Sequence, residues 1–379
     1  MLRYHPERFK ITRPHAKHMV SYFKSNISDG LVTDRHFPEL QMIFQRKGLS
    51  EVKRLPINRR PQNMKPLMKD LSLALHYSIF NVLGKNIFHF DADLVEKFKQ
   101  TDIDEVPVSA LSFPHKAFYL SFGKQEELNL WVEGYYVDGA YVSKLPGLPM
   151  QILLSTVRDD IDYKDETNWI TNPDRYYYMS IDMEDPDAIL SKVVDAALEE
   201  DISSTRDLAN QIPVISDHEL MNKDVTIIDN RKRSSELEIK EKVAGFDVFK
   251  EALRLVINGL FYITAYNEEI EERWTDETPQ RLIDNLNAAS TKSAQQKARA
   301  EILSQGYTKV SYCRRRYSQA NPSYTGGSGE KAPHWRRGHW RNQRIGEGRR
   351  ESKLVWIMPM LIRSDKGIPE EGHVYKIEG

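Results

Sequence analysis

Apolar residues recur every four positions from 67 to 83: Leu67, Leu71, Leu75, Ile79 and Leu83 share one face, and Gly84 follows as a stop. That spacing predicts a buried helix, with His76 read as a satisfied helix histidine. Upstream, residues 1–66 are weakly periodic. Phe9, Met19, Tyr22 and Phe23 suit a short helix, and Pro38, Pro56, Pro61 and Pro66 interrupt the remainder of that segment. From Ala117 to Asp182 the period changes to two. Phe118, Leu120 and Phe122 alternate with Tyr119 and Ser121, while Leu128, Leu130 and Val132 alternate with Asn129, Trp131 and Glu133. Asp138-Gly139, between two apolar runs, predicts a tight hairpin turn because both positions want positive φ. Residues 152–154 and 176–181 supply further strands, and the sum is an antiparallel meander of about four to five strands.

Asp185-Pro186 predicts a helix start, with the aspartate as cap and the helix running to about Glu200. Residues 201–245 are polar and charge-rich, a long excursion and a candidate functional loop. Helix is predicted again over 246–274, striped by Phe249, Leu253, Val256, Leu260 and Ile263, with Glu268, Glu269, Glu271 and Glu272 crowding its carboxyl end. Acidic groups there oppose the helix dipole, and the arginines further on are an available basic partner. One more helix is expected from Thr278-Pro279 to Ser304, stopped by Gly306, then a strand over 310–313 and a flexible linker over 321–329. The chain then reaches residues 331–362, KAPHWRRGHWRNQRIGEGRRESKLVWIMPMLI. His334-Trp335-Arg336 recurs there as His339-Trp340-Arg341, ahead of a glycine-punctuated basic loop. Residues 354–362 read as a returning strand that Pro359 confines to an edge or bulge. The expected fold class is α+β: an antiparallel meander sheet packed with several helices, a basic C-terminal turn and a returning strand. The expected division is a basic N-terminal helical region, 1–104, and an α+β core, 105–379.

Composition narrows the class. Of 379 residues, 40% are hydrophobic and 29% charged, ordinary for a globular protein. The lone Cys313 excludes an intrachain disulfide and fits a reducing compartment. No apolar run reaches the roughly 20 residues of a membrane span, and the amino end lacks a secretory apolar core, so a cytoplasmic protein is expected. The net charge of −1 conceals a split: residues 1–69 carry +10, residues 309–353 carry +9, and the body, 70–308, carries −19. The basic ends either dock on the body or form a face for nucleic acid.

Candidate chemistry concentrates in the last basic stretch. Arg336, Arg337, Arg341 and Arg344, with Arg349 and Arg350 in the loop, offer fork-shaped donors to phosphate. Trp335 and Trp340, flanked by His334 and His339, offer flat faces for unstacked bases. The same composition makes a protein-binding hot spot, and a third reading buries the tryptophans and pairs the arginines with the acidic body. Residue type leaves all three open. A zinc site built on His334, His339 and Cys313 has the wrong spacing and no fourth ligand. Paired histidines with arginines have the chemistry of an endoribonuclease, although basic aromatic segments bind more often than they cleave. The acidic loop 157–166 lacks the calcium-loop pattern. No phosphate-binding or nucleophile-elbow motif is present, so neither an organic cofactor nor a metal is expected. The tyrosines of the meander read first as sheet core or sheet surface.

Three stretches carry a resemblance. Pro333-His334, Arg336-Arg337-Gly338-His339-Trp340, the basic glycine loop and Val355-Trp356 resemble the carboxy-terminal signature of the second type V-A anti-CRISPR family and its mobile-element relatives. Val106-Pro107-Val108-Ser109, Phe113-Pro114 and Phe118-Tyr119-Leu120 are similar to a second pattern of that family. Gly259 through Ile270 is similar to its helix ending in an acidic-isoleucine pair. The departures are a longer amino end, Phe113 where the family often has leucine, and Trp335 where a family member has an aliphatic residue. The resemblance implies a phage or plasmid protein in the bacterial cytoplasm that recognises the nascent N-terminal peptide of a type V-A effector nuclease and promotes loss of its mRNA. It implies a peptide surface, for which Tyr119, Trp131, Tyr135, Tyr136 and Tyr141 are the candidates by strand addition, and closeness to ribosome or message. The competing readings are an endoribonuclease that cuts the message directly and a mobile-element nucleic-acid-binding maintenance protein.

Overall fold

The computed structural model describes residues 4–54, 57, 71–129, 134–163, 175–211, 235–275, 278–305, 307–313 and 334–362. Four helices lead: α1 (His5–Thr12), α2 (Ala16–Asn26), α3 (Phe37–Arg54) and α4 (Leu71–Val82). Then come β1 (Asn86–Phe90), α5 (Ala92–Lys99), β2 (Thr101–Asp102), β3 (Ala117–Ser121), β4 (Tyr136–Lys144), β5 (Met150–Val157) and β6 (Tyr176–Ile181). The helices α6 (Leu190–Asn210) and α7 (Phe246–Ala265) precede β7 (Ile270–Trp274), α8 (Gln280–Ala288), α9 (Lys292–Ser304) and β8 (Lys309–Cys313). The last elements are β9 (His334–Arg336), β10 (Gly338–Ile345), β11 (Glu351–Ile357) and β12 (Met360–Ile362).

The α+β class stands, and β3–β6 form an antiparallel meander, but β4 runs through Tyr136–Lys144 as one strand. From the alternating segment 128–133 only an isolated bridge, Asn129 to Tyr136, falls within the described residues. The sheet itself is mixed: seven strands in the order β6-β5-β4-β3-β1-β8-β7, with β1 parallel to both β3 and β8. Those central strands are buried on both faces, which is where parallel pairing occurs. On one face, Phe9, Met19, Phe23, Phe44, Tyr77 and Phe80 from α1–α4 pack against Ile87, Tyr119, Tyr141 and Tyr312 of the sheet. On the other, α5, α6 and α7 pack with the tryptophans of the carboxy-terminal strands. The weakly periodic leader is therefore a covering layer. His76 sits buried on α4 and is only half satisfied: its Nδ1 meets the Ser72 carbonyl, while Nε2 has no hydrogen-bond partner among the described residues.

Four sequence expectations fail for identifiable reasons. Asp138-Gly139 is a bulge inside β4, where the register shifts between Val137 and Gly139. Asp138 turns inward to pair with Arg8 of α1 at 2.5 Å. A Cβ on Gly139 would collide with the Tyr119 hydroxyl and the Leu120 carbonyl. The helix predicted over 246–274 stops at Ala265, and residues 270–274 form the edge strand β7, so Glu271 and Glu272 do not crowd a helix end. The expected 278–304 helix is two, α8 and α9, divided where the Thr291 hydroxyl caps Ala294. Asp185 makes a local turn with Asp187, and helix starts only at Leu190 and runs on to Asn210, into the expected excursion. Residues 212–234 of that excursion lie outside the described residues.

Candidate functional site

β9 and β10 run antiparallel to β12 and β11 in one register, Arg336 opposite Met360 and His339 opposite Ile357. Pro359, with no N–H to give, interrupts the ladder as the sequence suggests. The two pairs continue one another as a ribbon, and β2 lies parallel to the start of β10 as a short third strand, Gly338 opposite Thr101. The ribbon's middle is gripped by the carboxyl end of α5, whose last carbonyls need partners from outside the helix. Asn258 of α7, fully buried, donates to Phe98 O and Thr101 O at 3.2 Å each. Arg254 reaches Lys99 O, and Gly338 N donates to Gln100 O at 2.9 Å. A Cβ on Gly338 would stand 2.6 Å from Thr101 Oγ1, so only glycine brings the ribbon this close.

Cross-strand pairing places Trp340 opposite Trp356, their rings stacked at 5.7 Å and 15°. Both are buried. Trp340 Nε1 donates to Asn258 Oδ1 at 2.7 Å, and Trp356 Nε1 donates to Thr101 Oγ1 at 3.1 Å. Phe261 packs on the first indole, and Phe98 and Tyr262 on the second. A buried indole needs its N–H satisfied, and here both are.

The predicted site residues divide accordingly. Trp340 is an anchor, not an open face for a base: alternation points it inward from β10. Arg336, Arg341, Arg344, Arg349 and Arg350 are exposed. Arg337 is exposed too, and its Nη1 reaches Asp102 at 3.1 Å. His339 is half-buried. His334 and Trp335 lie on β9, their side chains outside the described residues. Of the peptide candidates, Tyr119 and Tyr141 are core residues. Tyr119 bonds Ser155 Oγ at 2.9 Å, and Tyr141 bonds His5 Nδ1 at the same distance. Burial pushes both phenols up. Tyr135 is buried beneath the Arg158 guanidinium. Tyr136 keeps a partly open ring with Lys124 Nζ 4.3 Å above it, and Trp131 lies outside the described residues. Cys313 is buried and its thiol pushed up by burial, which removes it from any zinc reading. Among the described residues no cluster of metal ligands occurs, and no helix is long and apolar enough to cross a membrane.

Sequence reasoning missed a crevice. It opens at the carboxyl ends of β1 and β3, a cavity of about 660 Å³ between the start of α5 and the loop 122–127. Such ends are a recurrent ligand position in sheets with parallel strands. Asp91, Asp93, Glu96, Glu126 and Glu127 line it, against Lys99 and Lys124. Lys99 is held by Glu96 and Glu127, and Lys124 by Asp159 and Glu126. Lys124 also joins the crevice to Tyr136. No local motif marks this site; it is assembled from a helix and a loop about thirty residues apart in sequence.

A family profile described as AcrVA2-like, the anti-CRISPR type V subtype A2 family, matches residues 88–364. The chain belongs to this family. The AcrVA2-like match takes in both the crevice and the ribbon, and leaves α1–α4 outside. Among solved structures, the crystal structure of AcrVA2 aligns over 94% of this chain and 96% of its own, with 11% identity and a TM-score of 0.36. No curated protein matches the chain.

Proposed function

We propose that this protein silences a type V-A CRISPR system by lowering production of its effector nuclease, recognising the effector's nascent N-terminal peptide and promoting loss of the message. The observation that carries the reading is membership of the type V-A anti-CRISPR family over residues 88–364. Two surfaces of opposite charge support the division of labour. The crevice sets five carboxylates against two lysines, suited to the ammonium of a peptide's amino terminus, and one of those lysines, Lys124, stands over the Tyr136 ring. The exposed ribbon carries the charge that attracts RNA. The amino end of α5 lines the crevice and its carboxyl end grips the ribbon, so one short helix joins the two surfaces.

The test separates peptide from nucleotide. Effector message is measured in cells with and without this protein, after recoding the first codons in two ways. Synonymous recoding leaves message loss intact, whereas a compensated frameshift that changes the peptide and keeps most nucleotides abolishes it. The reverse pattern overturns the peptide reading, and cutting of naked transcript by purified protein replaces it with direct endonuclease action.

A further inference from the structure

Beyond the Asn342–Leu354 pair, where Leu354 still packs against the core, the ribbon leaves it. Gly346 lies four positions beyond Asn342, so the free arm extends about 14 Å at the rise of a strand. From Arg336 to Lys353 the sequence holds seven basic residues and two acidic ones. Arg341, Asn342, Gln343 and Arg344 are all exposed. The tip turns through Gly346 and Gly348, at φ +77° and +68°, and Arg349 at +54°. It is thereby kept slender.

The distribution of charge between the faces is informative. Successive side chains on a strand point to opposite sides, and residues directly paired share a side. Gln343 lies opposite Lys353 and Arg344 opposite Ser352. Arg341 and Lys353 therefore occupy one face and Arg344 the other, with Arg349 and Arg350 at the tip. A flat anionic surface satisfies one face of such an arm. A groove with phosphates on both walls satisfies both. The only Trp, Tyr or Phe between 336 and 353 is Trp340, which is spent on the core, so this arm has no stacking platform for a single strand.

We propose that the β10–β11 tip inserts into the groove of an RNA helix opened by a bulge or internal loop, and holds phosphates on both strands. The choice of RNA rests on the message-directed function proposed for the protein. The need for an opening rests on width: a two-stranded ribbon fits a groove of about 12 Å, whereas the A-form major groove is deep and narrow. Asn342 and Gln343 lie between the arginines, placed to meet base edges.

Binding of the full chain to four probes tests this: a bulged RNA hairpin, a perfect RNA duplex, unstructured single-stranded RNA and a DNA duplex, each across a salt series. The bulged hairpin binds tightest, with a log–log salt slope of about −4 for five phosphate contacts. Arg344→Glu alone, and Arg341→Glu with Lys353→Glu, each weaken it at least tenfold without moving the thermal midpoint, because all three side chains are exposed. Loss from one face only overturns the groove, and so does preference for single-stranded RNA or for DNA. Message loss in cells is scored with the same variants. A wild-type protein that depletes message yet binds none of the probes sinks the groove and spares the proposed function. RNA binding without depletion does the opposite.

Discussion

At the scale of single residues, burial decides the chemistry more than residue type does. His76 and His15 lie in apolar surroundings, and burial lowers their pKa to about 4 and about 3; the Ser72 carbonyl opposes the shift at His76 only in part. The folded protein keeps both rings neutral, while the unfolded chain protonates them near pH 6.5. Below that pH the unfolded state binds more protons, so stability falls as pH drops from about 6.5 toward the lowered values. One such histidine accounts for roughly 2 kcal/mol between pH 6.5 and 5. His76→Leu should therefore flatten the pH dependence of the urea midpoint in that window, relative to wild type. Equal slopes for the two proteins would refute a neutral His76. Neither shift was legible in the sequence, where His76 is one polar residue on an apolar stripe. Asn258 left a better clue: a lone amide inside the run LVINGLFYI implies a buried hydrogen-bonding node. The tryptophan repeat misled because two chemically equal indoles fall on different strands, and pairing with Trp356 claims one of them for the core.

At the scale of elements, long apolar stripes were legible and their ends were not. The α7 stripe appears as read, because it repeats its period over several turns. On α4 the deeper face is Leu73, Tyr77 and Phe80 rather than Leu71 and Leu75, and β3–β5 are buried at nearly every position, so only β6 alternates. The acidic segment at 270–274 shows no such period. It becomes β7 because β8 offers an open edge, with Lys309 pairing to Glu272 across it. The Asp138 bulge is the clearest case of tertiary override. Local propensity favours a turn, yet Arg8, 130 residues earlier, supplies a buried counter-charge, and Ser155 donates to the other carboxylate oxygen at 2.8 Å. Burial alone would lower the Arg8 pKa; the Asp138 carboxylate reverses that and leaves it raised. Removing one member strands a buried charge, at a cost of about 3–5 kcal/mol. Arg8→Met should lower unfolding free energy by that amount, and Asp138→Asn on the same background should recover part of it. Additive losses in the double-mutant cycle would show that α1 and β4 are not coupled through this pair.

At the scale of the whole molecule, the family match begins inside β1, yet the sheet has a second face that α1–α4 cover. Ile87, Ala117, Tyr119, Tyr141, Leu153, Val310 and Tyr312 all pack against those helices. Uncovering seven such side chains costs roughly 10–20 kcal/mol at 1.5–3 kcal/mol each, as much as the whole stability of an ordinary domain. The basic leader, together with α4, thus supplies the helical side of the second core layer. A fragment starting at residue 84 should fail to unfold cooperatively, bind a hydrophobic dye and lose the ribbon with the sheet that carries it. Adding residues 1–83 as a separate chain should restore a cooperative transition, since the interface is apolar and the Arg8–Asp138 pair gives it a fixed register. A fragment that melts in one sharp step without the leader would mean that the sheet needs no second layer. The positive charge of residues 1–69 would then be free for a surface role of its own.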